Sequence, residues 1–261
     1  MLIAPPEDAP GTTSLQDHVI LITGAGDGIG RAVALACARQ GAIVVLLGKT
    51  VAKLEAVYDQ IVASGAPEPA IYPMHLQGAS VNDYAQLANT LGNHFDCLHG
   101  LVNNAASLPY LSRLKDYEPD DWLQTIQVNL NAPFLLTQAC LPLLQAAPAA
   151  SVIFTGDSAL AERPVFGGAY AITKRSTQHL MTLWAHELER TRIRVNLIDP
   201  GPTRTRLRKT IFPGEASTRQ ATPEQVASSY VWLLGSQSLS VHGQRVQPPQ
   251  KPHSPHAVTA D

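Results

Sequence analysis

Residues 18–30 read HVILITGAGDGIG: a short, mostly apolar run that gives way to a loop rich in glycine, Thr23-Gly24-Ala25-Gly26-Asp27-Gly28-Ile29-Gly30. The apolar run at residues 18–23 predicts a strand buried on both faces. Residues 29–40 carry Ile29, Val33, Ala36 and Cys37 on one helical face and stop at Gly41, which predicts a helix. Glycines let the chain turn tightly and let a phosphate approach the main chain, while the first turn of the helix presents unpaired N–H groups. At the first strand–helix turn of an α/β chain, this arrangement predicts a dinucleotide pyrophosphate held by Thr23, Gly24, Gly26, Asp27, Gly28, Ile29 and Gly30.

The same alternation continues outward from this loop. Strands are predicted at residues 42–47, 70–76, 98–103, 151–155, 193–199 and around Val246. Helices are predicted at 51–61, 81–95, 120–145 (bent at Pro133 and Pro142), 169–190 and 223–234. Strands that alternate with helices imply a parallel sheet with helices on both faces. The expected fold is therefore α/β: a single doubly wound Rossmann-type domain over residues 15–247, with about seven strands. Residues 1–14 and the Pro-rich, polar residues 248–261 are expected to be disordered.

Composition excludes several classes of function. The chain has 261 residues, 45% of them hydrophobic and 15% charged, with a formal net charge of −2. That balance gives no electrostatic footprint for nucleic acid or an acidic membrane surface. Residues 1–14 have neither a basic start nor a long apolar stretch, so they do not read as a signal peptide. Residues 122–156 lack charge, but six Gln and Asn residues and three prolines interrupt them, which no spanning helix tolerates well. Cys37, Cys97 and Cys140 show no metal-ligand spacing and are expected to be reduced, buried thiols of a cytoplasmic protein. His253 and His256 in the tail form no closed metal site, so no metal is expected.

Reduction of a carbonyl needs hydride at carbon and a proton at oxygen. A free tyrosine, with a pKa of about 10, exchanges protons poorly at neutral pH, and a neighbouring ammonium lowers that value. Tyr170 and Lys174 stand four apart on a predicted helix, so both project from one face.

These motifs, in order, resemble the short-chain dehydrogenase/reductase family: TGxxxGxG at 23–30, Asn103-Asn104-Ala105-Ala106, Asn129, the YxxxK of Tyr170 and Lys174, and Pro200-Gly201. The segments LLGKTVAKLE (46–55), PAIYPM (69–74), NAPFLLTQACLPLL (131–144) and NLIDPGPTRTRLR (196–208) resemble its YciK-like oxidoreductases. The resemblance implies Tyr170 as general acid/base, Lys174 tuning it and holding the nicotinamide ribose, and Asn129 in a water-mediated proton relay. It also implies cofactor contacts from Asn103, Ala105, Pro200 and Gly201, with Thr203 and Thr205 near the carboxamide. The expected activity is hydride transfer between a nicotinamide cofactor and a small carbonyl or alcohol. The alternative is a catalytically weak dinucleotide-binding protein, acting as a sensor or partner subunit.

The cofactor expected is NADP, with NAD as the alternative. NAD-preferring sites place a carboxylate at the end of the second strand of the unit, on the ribose 2′-OH. Here that end reads Gly48-Lys49-Thr50, which removes repulsion for a 2′-phosphate and offers it a cation. The resemblance further implies a homodimer or homotetramer paired through the helices at 122–147 and 169–190. It also implies a mobile substrate cover after Pro200-Gly201, where Arg204, Arg206, Arg208 and Lys209 cluster. The sequence departs from the family in three places. Asp157 stands where the family has its catalytic serine, with Ser158 one residue later as the expected working hydroxyl. Ala106 replaces a glycine, and His75 stands where an acidic residue often meets the adenine.

Overall fold

The computed structural model of the chain describes residues 2–5, 13–159 and 165–249. Eight strands form one parallel sheet: β1 (Leu2–Ile3), β2 (Val19–Thr23), β3 (Ile43–Gly48), β4 (Ala70–Pro73), β5 (Gly100–Asn103), β6 (Ala150–Thr155), β7 (Ile193–Ile198) and β8 (Arg245–Val246). Their order across the sheet is β1-β8-β7-β6-β5-β2-β3-β4. The helices used below are α1 (Gly28–Arg39), α2 (Val51–Ala63), α3 (Val81–His94), α4 (Pro119–Ile126), α5 (Ala132–Ala146), α6 (Gly168–Glu187), α7 (Arg206–Ile211) and α8 (Pro223–Leu234).

Every residue of β2, β5, β6 and β7 is buried, as a parallel sheet covered on both faces requires. Successive side chains of β2 serve opposite layers. Ile20 and Ile22 pack with Val33 and Cys37 of α1, Leu54 of α2 and Tyr230 of α8. Val19 and Leu21 pack with Leu87 of α3, Leu136 and Cys140 of α5 and Trp184 of α6. The period of two along the strand thus feeds two cores at once. From β2 the sheet grows one way through β3 and β4 and the other way through β5, β6 and β7. At that reversal the loops leaving β2 and β5 part, and a crevice opens at the carboxyl ends of the strands.

Two expectations about the elements are corrected. The doubly wound parallel sheet of about seven strands is as expected; what was not expected is an added two-residue edge strand, because Leu2–Ile3 pairs with β8 and the Gln247 amide donates to the Ile3 carbonyl at 2.9 Å. Residues 1–14 are therefore not simply a disordered lead; a two-residue strand carries no periodicity to read and is recruited by the open edge of β8. Thr13 is buried as well, and donates to Gln237 Oε1. Residues 6–12 and most of the tail, with His253 and His256, lie outside the described residues.

The helix expected over 120–145 is instead α4, a π-helical turn at Gln127–Asn131, and α5. Pro133 sits in the first turn of α5, where its missing N–H goes unused, and Pro142 lies inside that helix. Among the described residues no helix is long and apolar enough to cross a membrane, and no group of three or more His, Cys, Asp or Glu could hold a metal ion.

Candidate active site

The crevice is a cleft of about 570 Å³ that runs from the glycine loop and the end of β3 to Tyr170 and Lys174. Its floor is set by Thr23 at the end of β2. The Thr23 hydroxyl accepts from the amides of Asn104 and Ala105, each at 2.9 Å, and the Asn104 side chain donates to the Thr23 carbonyl at 2.9 Å. Gly24 takes φ +67°, in the left-handed region. A Cβ at Gly30 would lie 2.2 Å from the Gly24 carbonyl oxygen, so only glycine lets α1 start this close to the strand end. Asp27 caps α1 by accepting from the Gly28 amide at 2.8 Å. Gly24, Gly26, Asp27, Gly28 and Ile29 line the cleft, whereas Thr23 and Gly30 shape it from beneath.

At the end of β3, Gly48, Lys49 and Thr50 line the cleft as expected, and His75 is exposed beside them. No acidic residue stands at that strand end. Two further cations line this wall: Lys53 of α2, which sequence reasoning missed, and Arg206 of α7, which the sequence placed in the substrate cover. Lys53 is paired with Asp27, and its hydrogen bond is the main reason the Asp27 carboxyl titrates below the usual range. A helix-face pattern could have placed Lys53, one turn after Lys49, on the same side.

Tyr170 and Lys174 lie on one face of α6, both buried at the floor of the cleft. The Lys174 ammonium donates to the Thr155 carbonyl at 2.7 Å and lies 5.6 Å from the Tyr170 ring centroid. Burial pulls its pKa down to about 8, against the opposing carboxylates of Asp157 and Asp199. Tyr170 Oη donates to Asp157 Oδ2 at 2.9 Å. Burial, followed by the Asp157 charge and this hydrogen bond, raises the Tyr170 pKa well above its ordinary value, so it rests as a neutral phenol.

Two site expectations need correction. Ser158 does not border the cleft. Asp157 does: its Oδ1 accepts from the Ala159 amide and caps the turn entered at Ser158, while the Ser158 amide is directed to Asp199 Oδ1. This cap fixes the carboxylate toward Tyr170 and leaves the serine one position past it.

Asn103 does not border the cleft either. It ends β5 and donates to Thr137 Oγ1 of α5, so Asn104, one residue on, takes the cleft position, beside Ala105. Asn129 is buried behind the cleft in the π-helical turn. Its side chain accepts from the Ser107 amide at 2.7 Å and donates to the Ser107 carbonyl at 2.9 Å, while Thr177 Oγ1 donates to its own carbonyl. It pins the loop that carries Ser107 and Leu108.

Pro200, Gly201, Thr203 and Thr205 line the cleft as expected. Thr205 caps α7 by accepting from the Arg208 amide at 3.1 Å, and a Cβ on Gly28 would lie 3.3 Å from its methyl group. The segment after β7 therefore closes down on the glycine loop. The arginines divide their roles here. Arg208 is bidentate to Glu215 at 2.7 and 2.8 Å and stacks over Phe212, and Arg204 donates to the Ser217 carbonyl. These two bind the cover to itself, while Arg206 is exposed at the groove.

The family model for short chain dehydrogenases matches residues 18–216. This chain belongs to the short-chain dehydrogenase family. It is an oxidoreductase of that family, with the glycine loop, Tyr170 and Lys174 in one cleft. The uncharacterized oxidoreductase YciK of Escherichia coli K12 is 38% identical over 245 residues, covering 93% of this chain and 97% of that one. A Shigella flexneri short chain dehydrogenase crystallised with NADP superposes with a TM-score of 0.86 at 37% identity, covering 89% of this chain and 97% of that one. An E. coli CFT073 short chain dehydrogenase crystallised with NADPH gives 0.86 at 38% identity, with the same coverage.

Proposed function

We propose that this short-chain dehydrogenase uses NADP(H) to move a hydride to and from an unsaturated carbon of a small substrate, a carbonyl being the first case, with Tyr170 as general acid/base. One observation carries the reading: a single cleft joins the carboxylate-free end of β3, the glycine loop and the Tyr170–Lys174 pair. The residues fit the cofactor. The glycine positions leave room that side chains would fill, the amides at the start of α1 would hold the pyrophosphate, and Lys49 and Arg206 would suit a 2′-phosphate. The NADP and NADPH complexes of the relatives support the same choice.

When bound, the nicotinamide supplies or takes up the hydride. The protein's part is to hold a proton at Tyr170 Oη, to keep a cation at Lys174 Nζ for the phenolate left behind, and to pin the Ser107 loop through Asn129. A water-mediated relay from Lys174 past the Asn129 backbone would return the proton. The protein acts on small molecules and pairs with a second copy of itself.

Direct titration with both cofactors tests the cofactor reading. NADPH should bind about tenfold more tightly than NADH, and Lys49→Ala should erase most of that difference, since a charge-assisted contact is lost. Equal affinities overturn it. Asp157 favours a second reading, a dinucleotide-binding protein without turnover, because a carboxylate opposes the oxyanion of a reduced carbonyl. NADPH binding without oxidation across a panel of carbonyls and imines would favour that reading.

A further inference from the structure

We propose that Asp157 makes this a site for substrates whose reacting carbon is double-bonded to nitrogen, a cyclic imine or related heterocycle, in preference to a ketone. The proposal rests on the hydride-transfer reading above and names its substrate class.

A serine hydroxyl can donate to a carbonyl oxygen, but an ionised carboxylate only accepts. Asp157 lines the cleft, with one oxygen held by the Ala159 amide and the other by Tyr170 Oη. Each oxygen keeps a second lone pair, so the carboxylate calls for a substrate that brings a donor. A ketone brings none, and its developing oxyanion would be repelled. A protonated C=N nitrogen brings an N–H and a positive charge, and it binds a carboxylate through a charge-assisted hydrogen bond.

The surroundings agree. Leu108, Leu207 and Ile211 line the cleft and pack in one apolar cluster with Tyr170, the residue bonded to Asp157. Arg208, the cation of the cover, is held bidentately by Glu215, so Lys174, the cation that already feels the Asp157 charge from beneath, shares that carboxylate with a ligand's N–H donor. The acidity of Tyr170 points the same way. A phenol raised above its ordinary pKa is a weak acid toward a carbonyl oxygen, whereas an imine nitrogen is a far stronger base.

Tyr170 Oη gives its proton to the C=N nitrogen, and Asp157 holds the resulting N–H cation. Hydride from reduced nicotinamide adenine dinucleotide phosphate brings two electrons to the carbon. The C=N π pair moves to nitrogen and neutralises it. The imine is reduced to a secondary amine, the nicotinamide is oxidised, and the Tyr170 phenolate, stabilised by Lys174, takes a proton from solvent.

The test pairs dihydroisoquinoline with tetralone, two bicyclic compounds of similar size. The wild-type protein should oxidise NADPH with kcat/KM at least about tenfold higher for the imine, and Asp157→Ser should reverse the order. Serine and asparagine both cap helices well, so Asp157→Ser and Asp157→Asn should keep the local fold. A second readout needs no turnover: tetrahydroisoquinoline, the amine product, titrated calorimetrically into cofactor-free protein, should bind about tenfold more weakly to Asp157→Asn. Equal or better turnover of tetralone by the wild type overturns the proposal, as does unchanged amine affinity in Asp157→Asn. Failure of NADPH to bind rejects the cofactor reading instead, and the amine titration still decides the role of Asp157.

Discussion

Tyr170 and Lys174 show opposite consequences of one burial. Desolvation disfavours the phenolate of the first and the ammonium of the second. Tyr170→Phe removes only the hydroxyl and should lower turnover by about 10²–10⁴-fold while NADPH affinity stays within a factor of about two. A large loss of NADPH binding in that variant would show that the hydroxyl serves the cofactor instead of proton transfer. Lys174 has a folded pKa of about 8 against 10.5 in the unfolded chain. Between those values the unfolded chain binds more protons, so stability rises with pH across that window, and below pH 8 the full penalty is present. Lys174→Met should therefore abolish turnover yet raise stability at pH 7 by on the order of 2 kcal/mol, offset in part by the orphaned Thr155 carbonyl. Thermal melts from pH 7 to 11 check it: a slope shared by wild type and variant would place the titration elsewhere.

Two elements hold the site, and each depends on one local contact. The π-helical turn at Gln127–Asn131 exists to aim Asn129 at the Ser107 loop; such turns add a residue to the helix and recur at functional sites. Asn129→Ala leaves the part-buried Ser107 amide and carbonyl without their Asn129 partner, and should cost about 1 kcal/mol and raise KM for substrate more than it lowers cofactor affinity. Denaturant melts and steady-state kinetics together read this, and unchanged values in both would mean the loop is held by other contacts. The cover built on α7 is tied by Arg208 and Glu215. Glu215→Gln weakens that tie and should raise KM for cofactor and substrate together, about tenfold, through a looser cover. A change in substrate KM alone would instead assign Arg208 to substrate recognition.

For the whole molecule, the apolar surface and the histidines of the sheet's lower edge matter most. Leu123 of α4 is 64% exposed and Leu183 of α6 is 47% exposed, with Phe134 of α5 also open. Large apolar side chains on adjacent helices suit the isologous pairing of a dimer, in which each copy covers the other's patch. Light scattering should show a dimer or tetramer at micromolar concentration, and Leu123→Glu with Leu183→Glu should shift it to monomer. A wild-type monomer at that concentration sinks the idea.

At the opposite end from the cleft, His18 and His99 stack with ring centroids 4.6 Å apart. Burial first, then for His18 the neighbouring His99, lowers both pKa values below 6.5; Arg194 adds to this and Asp17 opposes it. Lowered folded values mean that the unfolded chain takes up protons first on acidification. The melting temperature should fall steeply as pH drops below about 6.5, and His99→Gln should flatten that fall. Melts that keep the same pH dependence in the variant would remove the pair as the cause.

The sequence by itself determined the layered architecture. Apolar runs at 18–23, 42–47, 151–155 and 193–199 have one physical solution, burial on both faces, and the helical periods between them supply the covering layers. It also determined the glycine loop, because the close approach of Gly30 to Gly24 is a backbone requirement that no other residue meets. Helical spacing put Tyr170 and Lys174 on one face, and the family resemblance, not the spacing, gave that pair its catalytic role.

Tertiary structure decided whatever depends on which way a single side chain turns. Asn103 and Asn104 are indistinguishable in sequence, and only the end of β5 decides which one meets the cleft. Chemistry asks for a donor and so points to Ser158, but the Asp157 bond to the Ala159 amide and to Tyr170 fixes Asp157 in that place. The π-helical turn left no trace in the hydrophobic pattern, since its cause is a set of polar contacts from loops far away in the chain. Leu2–Ile3 became a strand only because β8 offered it an edge. Periodicity carries the sheet and its layers because burial acts on many residues in concert; the orientation of one polar group is set by one or two hydrogen bonds to remote partners, which only the folded chain brings within reach.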